Sequence, residues 1–256
     1  MAFLETPPPQ GESVVRFSLE ATTAAAVAGG TFWLAARFEL PAGYRVFWVN
    51  PGAEGRPTRV QFRGPEAFEI SEVQFPPPRE FELPDSGIAY GYQGETAGFA
   101  QVRAIRELNP GETYRFEVEA SWLACAERCY PESAAAYVEL GVSDTFAPRE
   151  LPGELGRLLQ QLPKPLTELA GVSYRWRRGG RLHVTAADTE WVDFLPEHPL
   201  DPKLAAVDTD EKKRTLKLRF DDGTPGSRVQ GLGVVNSGGA HSYVRVDIPW
   251  PVPARP

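Results

Sequence analysis

The sequence predicts an all-β protein of two antiparallel β-sandwich domains, joined by a short linker with one short helix. Three observations carry this. Apolar and polar residues alternate over short stretches along most of the chain, which is the period of a half-buried strand. Turn-forming clusters such as Pro41-Ala42-Gly43, Asn50-Pro51-Gly52 and Asn109-Pro110-Gly111 separate these stretches at the spacing of a sandwich. Glycine and proline number 24 and 25 among 256 residues, a turn-rich composition that leaves little room for long helices.

The elements follow in order. Val14–Leu19, Thr31–Leu40 (TFWLAARFEL), Tyr44–Val49, Thr58–Phe62, Ala100–Ile105, Tyr114–Leu123 (YRFEVEASWL) and Ala135–Leu140 read as the strands of a first domain, residues 1–148. Periodicity then lapses from Asp144 to Pro152. Gly153–Leu162 (GELGRLLQQL) reads as a helix stopped by Pro163 and Pro165. The strand pattern resumes in a second domain, residues 149–256. Val172–Arg178 and Arg181–Ala187 flank Gly179-Gly180, a two-residue hairpin signal. Arg175, Arg177 and Arg178 are expected on its exposed face, with Trp176 pointing inward. Trp191–Leu195, Ala205–Asp208, Thr215–Phe220, Gln230–Val235 and Tyr243–Ile248 complete the set, and Pro249–Pro253 reads as a stiff extended tail.

Charge excludes some functions. Lys and Arg total 27 against 34 Asp and Glu, a net −7, which argues against a general nucleic-acid or anionic-membrane binder. The longest uncharged run, Ala21–Ala36, is interrupted by threonines and glycines and is too short and polar to span a bilayer. No basic start and apolar stretch precede Glu5, so no signal peptide is visible. Neither a phosphate-loop motif nor a nucleophile elbow occurs, and Asn236–Ser242 reads as a glycine-rich turn.

The chemistry concentrates in Cys125 and Cys129, the only two cysteines. Residues four apart on one extended strand lie roughly 13 Å apart, too far for a disulfide. The pair therefore flanks a tight turn or lies on one helical turn, and the strands on either side favour the turn. A ring of about five residues contributes roughly 2 kcal/mol in the chain-entropy model, a weak staple for a domain with its own core. Spacing alone leaves a redox-active pair and a structural bridge both open. Arg128 beside Cys129 would favour a thiolate. No metal or other cofactor is expected, since structural zinc wants four ligands and His183, His198 and His241 all fall in the second domain.

Three blocks carry a family resemblance. Trp122-Leu123-x-Cys125-x-x-x-Cys129-x-Pro131-Glu132, Trp48-x-Asn50-Pro51-Gly52-x-x-Gly55-x-Pro57-Thr58 and Tyr90-Gly91-Tyr92-x-Gly94-Glu95 resemble the N-terminal periplasmic domain of the DsbD/ScsB thiol:disulfide interchange proteins. Trp191–Glu197 matches more loosely, and the cysteine spacing is more similar to the ScsB branch, named for suppression of copper sensitivity. The resemblance implies immunoglobulin-like sandwiches and a periplasmic location. It implies that this chain is the excised soluble part of an inner-membrane protein, with no membrane contact of its own. A thioredoxin-like domain of the same parent protein would deliver electrons, and a periplasmic thioredoxin-fold disulfide isomerase or reductase would receive them. Cys129 would exchange with partners and Cys125 would resolve the mixed disulfide. Tyr90, with Ile88, would cap the pair from the loop Pro84–Gly91, and Trp48, Trp122, Tyr92, Tyr130 and Pro131 would line it. Two other readings are carried. One is a non-catalytic two-sandwich binding module with an inert disulfide. The other is a copper-binding or copper-tolerance domain, weakened because Met1 is the only methionine.

Overall fold

The computed structural model describes residues 13–83, 87–198, 203–221, 228–237 and 240–251. Pro84–Ser86 of the expected cap loop, Gly238-Gly239 of the glycine-rich turn and the end of the tail from Val252 lie outside the described residues. The chain forms two compact units that divide at Leu162/Pro163.

The first unit runs β1 (Arg16–Ala21), β2 (Ala25–Ala26), β3 (Thr31–Glu39), β4 (Arg45–Gly52), β5 (Arg59–Arg63), β6 (Phe68–Ile70), β7 (Arg79–Glu82), β8 (Ile88–Gln93), β9 (Glu95–Ala104), β10 (Thr113–Cys125), β11 (Cys129–Val142) and α1 (Leu155–Gln160). One sheet has the order β1-β3-β9-β6; the other has β2-β11-β10-β4-β8-β7, with β5 also paired to β10. The two pack into an immunoglobulin-like β-sandwich. Alternation explains the core: Phe32, Leu34, Ala36 and Phe38 of β3 are buried, as are Phe116, Val118, Ala120 and Trp122 of β10. Between the sheets Trp122 meets Phe17 and Phe38, at ring separations of 5.5 and 5.1 Å. Phe116 meets Phe32 and Phe68 edge-on.

The helix belongs to this unit. The sequence reading opened the second domain at residue 149, before the helix, whereas the chain divides after it. The cause is packing. Ala35, Ala97 and Phe99 lie on the outer face of β3 and β9, and Leu155 and Leu158 of α1 bury that face, with Trp33 and Leu162 beside them.

The second unit contains β12 (Lys164–Pro165), a 3-10 turn (Leu166–Glu168), β13 (Ser173–Arg177), β14 (Arg181–Thr185), β15 (Glu190–Pro196), β16 (Leu204–Asp210), β17 (Thr215–Phe220), β18 (Arg228–Ser237) and β19 (Ala240–Pro249). Its sheets, β12-β19-β18-β15 and β13-β14-β17-β16, form a second sandwich. Leu182, Val184, Leu216 and Leu218 pack in one core with Trp191, Phe194, Val246 and Ile248. Trp176 does point inward. It stacks on Trp250 at 4.4 Å, and its indole nitrogen donates to the Pro249 carbonyl at 3.1 Å. Trp250 is thus buried in the core and not part of a free tail.

Candidate redox site

β10 and β11 form one long antiparallel hairpin, paired from Thr113 opposite Gly141 to Cys125 opposite Cys129. Ala126, Glu127 and Arg128 make the turn, closed by the Ala126 amide donating to the Arg128 carbonyl at 3.0 Å. Cross-strand neighbours come within bonding reach, and the Cα atoms of Cys125 and Cys129 lie 4.1 Å apart with the disulfide formed. The two residues differ in access. Cys125 is fully buried, while Cys129 is exposed.

Cys125 lies on the face of its sheet opposite to Trp122 and Ala124, which point into the sandwich. On that outer face it packs with Phe47 and Ala89, walled by Phe81, Leu83 and Leu123. Phe81 sits opposite Ala89 in the β7–β8 pair, and the Leu83 amide donating to the Gly87 carbonyl closes that hairpin at 2.9 Å. Arg45 is the cross-strand partner of Cys125 on β4. Its guanidinium lies 5.9 Å from the Phe47 ring centre and 5.6 Å from that of Phe81, and it pairs with Glu54 at 3.4 Å.

The sequence blocks converge on this shell. Gly55 has φ +99°, and a Cβ there would strike three Phe47 ring atoms at 2.7 Å, so its backbone lies flat on the ring. A Cβ on Gly91 would come 2.2 Å from the Val46 carbonyl oxygen, so β8 approaches β4 only without a side chain. The Asn50 side-chain oxygen accepts from the Gly52 amide at 3.1 Å. The Thr58 hydroxyl donates to the Phe47 carbonyl at 2.5 Å. Blocks separated in sequence therefore hold one aromatic ring over one sulfur.

The expected lining residues fall into two groups. Pro131 is exposed on the face of Cys129, across from Leu123. Tyr130 is half-buried and pairs with Ala124, on the other face. Trp48 is buried and meets Tyr90 edge-on at 6.4 Å. Tyr92 is buried, stacks on Phe75 and donates to the Pro76 carbonyl at 2.7 Å. Ile88 is 42% exposed. Tyr90 and Tyr92 alternate away from Ala89, so the structure does not bring them to Cys125, and the residues over the sulfur are Phe47, Phe81 and Leu83. Sequence reasoning missed these three, although the two-residue spacing of Phe81 and Leu83 places them on one face of a strand.

Glu132 ties the hairpin down. Its carboxylate accepts from Ser13 Oγ at 2.8 Å, the Val14 amide at 2.5 Å, the Val15 amide at 3.3 Å and Trp122 Nε1 at 2.8 Å. Further along the hairpin, the same outer face opens into a shallow hollow of about 890 Å³ lined by Arg59, Gln61, Ser121, Ser133 and Ala135. Among the described residues, no group of three or more His, Cys, Asp or Glu side chains is placed to hold a metal ion.

The N-terminal periplasmic domain of ScsB from Proteus mirabilis superposes with a TM-score of 0.51 at 14% identity, over 90% of this chain and 92% of that one, so the likeness includes both units. The DsbD N-terminal domain of Neisseria meningitidis, solved in its reduced form, matches with a TM-score of 0.29 at 16% identity, over 52% of this chain and 90% of that one. No curated protein sequence matches the chain significantly. The profile of the family described as thiol:disulfide interchange protein DsbD, N-terminal, matches residues 16–139, a stretch that begins with β1 and contains both cysteines and all three sequence blocks. The disulfide-bearing stretch of the first unit, residues 16–139, thus matches the DsbD N-terminal domain family.

Proposed function

We propose that this chain is a periplasmic thiol:disulfide relay, with Cys129 as the exchanging sulfur and Cys125 as the resolving one. The observation that carries the reading is the asymmetry of access within one hairpin: Cys129 is exposed and Cys125 is buried under aromatic and aliphatic side chains.

The exchange balances as follows. In the reduced protein the Cys129 thiolate attacks one sulfur of an oxidised partner. A Cys129–partner bond forms, and the partner's second sulfur leaves as a thiolate that takes up a proton. Cys125, losing its proton, then attacks Cys129 Sγ and displaces the partner's first sulfur. The pair ends as a disulfide and the partner gains two electrons and two protons. A dithiol on a thioredoxin-like domain of the same parent protein reverses these steps and reloads the pair. Arg45, across from Cys125, supplies positive charge near the sulfur that must become anionic. Phe47, Phe81 and Leu83 keep small oxidants from Cys125, while a partner that docks on the hairpin face reaches Cys129 directly. A periplasmic thioredoxin-fold disulfide isomerase or reductase fits the receiving role.

The test is a redox titration of the whole chain in glutathione or dithiothreitol buffers, read by mass after alkylation. A potential between about −270 and −120 mV is expected. A potential below about −300 mV, or reduction only on unfolding, overturns the relay in favour of an inert disulfide. In parallel, Cys125→Ser should accumulate a mixed disulfide with an oxidised thioredoxin-fold protein, and Cys129→Ser should not.

A further inference from the structure

The second unit carries a cationic concavity that the redox chemistry does not use. In sheet β13-β14-β17-β16, Leu182, Val184, Leu216 and Leu218 turn into the core, so the residues between them face outward. Register arranges these in rungs. Ser173, Thr185 and Thr215 form one, ending at Asp210 on β16. Arg175, His183 and Lys217 form the next, ending at Asp208. Arg177, Arg181 and Arg219 form the third. Lys213 joins from the turn between β16 and β17. Arg175, Arg177, His183, Lys213, Lys217 and Thr185 are among the residues lining a concavity of about 440 Å³.

Its charge is not internally balanced. Lys217 pairs with Asp210 at 2.9 Å, but Arg175, Arg177, Arg181 and Lys213 make no ion pair among the described residues. Like charges directly across a sheet destabilise it, and here three arginines share one rung in a chain whose net charge is −7. His183 reports the same field. Burial, and then Arg177, Lys217, Arg181 and Lys213, hold its imidazole below the ordinary histidine range. The Thr215 hydroxyl donates to the Lys213 carbonyl at 2.9 Å and accepts from the Thr185 hydroxyl at 3.1 Å, which fixes both side chains at the edge of the concavity.

These donors select a ligand class. Arg175, Arg177 and Lys213 line the concavity without an ion pair among the described residues, a donor set that suits an anion of high charge density. Guanidinium forks beside an ammonium match the several oxygens of a phosphate group. We propose that the outer face of β13, β14 and β17 is a binding site for a phosphate group, carried either by a small phosphate or by an anionic lipid headgroup. The site lies wholly in the second unit and is independent of the relay.

The test follows the His183 ring by proton NMR in the whole chain, with His183→Gln identifying its signal. Inorganic phosphate is titrated at ionic strength held constant with chloride. A saturable shift is expected, with the His183 titration moving upward as the bound anion offsets the surrounding cations. The affinity should fall by about tenfold or more in the Arg175→Gln/Lys213→Gln variant. Flotation with phosphatidylglycerol vesicles, against phosphatidylcholine vesicles, distinguishes the sources. Saturation by phosphate without retention assigns a small phosphate. Retention on phosphatidylglycerol that the double variant loses assigns a lipid headgroup. Absence of both responses, or equal responses in the double variant, overturns the proposal.

Discussion

Two sulfurs four residues apart live in different environments because a hairpin places one under the sheet's outer cover and the other at its rim. The cover is tested at Phe47, which is 1% exposed. Phe47→Ala should cost about 3–5 kcal/mol, read by denaturant unfolding, because the ring fills its site fully. In the reduced protein it should also speed alkylation of Cys125 relative to Cys129. Glu132→Ala removes four hydrogen bonds and leaves the indole N–H of buried Trp122 unpaired. A loss of about 1–3 kcal/mol is expected, with faster hydrogen exchange at the Val14 and Val15 amides. His183 gives a pH dependence. Its folded-state value is depressed, so the unfolded chain binds the proton first, and stability of the second unit falls as pH drops below about 6.5. His183→Gln should flatten that slope between about pH 7.5 and 5.5 in chloride buffer. At this scale the cysteine pair and the three motif blocks were legible in sequence, because turn chemistry and spacing are local. Phe47, Phe81 and Leu83 were not, because they reach Cys125 only through the pairing of four strands.

Elements were legible where one face alone is buried. The alternation over Tyr114–Leu123 marks β10, which extends two residues further to include Cys125. The alternation over Ala135–Leu140 marks only the end of β11, which begins at Cys129, since Pro131, Ser133 and Ala135 carry no apolar contrast. β7 and β8 were not read as a hairpin. Charged Arg79, Glu80 and Glu82 mask the first strand, and Gly91 interrupts the second. The helix was legible, but its allegiance was not. Nothing local shows that Ala35, Ala97 and Phe99 need a cover. Leu155, fully buried in that contact, tests it. Leu155→Ala should lower the stability of the first unit by about 2–5 kcal/mol, read as its denaturant midpoint, and leave the second unit unchanged.

For the whole molecule, each unit has its own core, so the two should report separately in calorimetry. Reduction of the Cys125–Cys129 bond should lower the stability of the first unit by about 2 kcal/mol, the chain-entropy value for so small a ring, and leave the second transition in place. A shift in both transitions would mean that the units unfold as one. The ladder from Thr113 opposite Gly141 to Cys125 opposite Cys129 has a further consequence in time. It keeps the two sulfur-bearing residues facing each other whether or not they are bonded. In the proposed relay, resolution of an adduct on Cys129 is therefore an encounter between neighbours at very high effective molarity. Covalent complexes with partners should be fleeting in the natural protein, and turnover should be set by how fast partners arrive and depart.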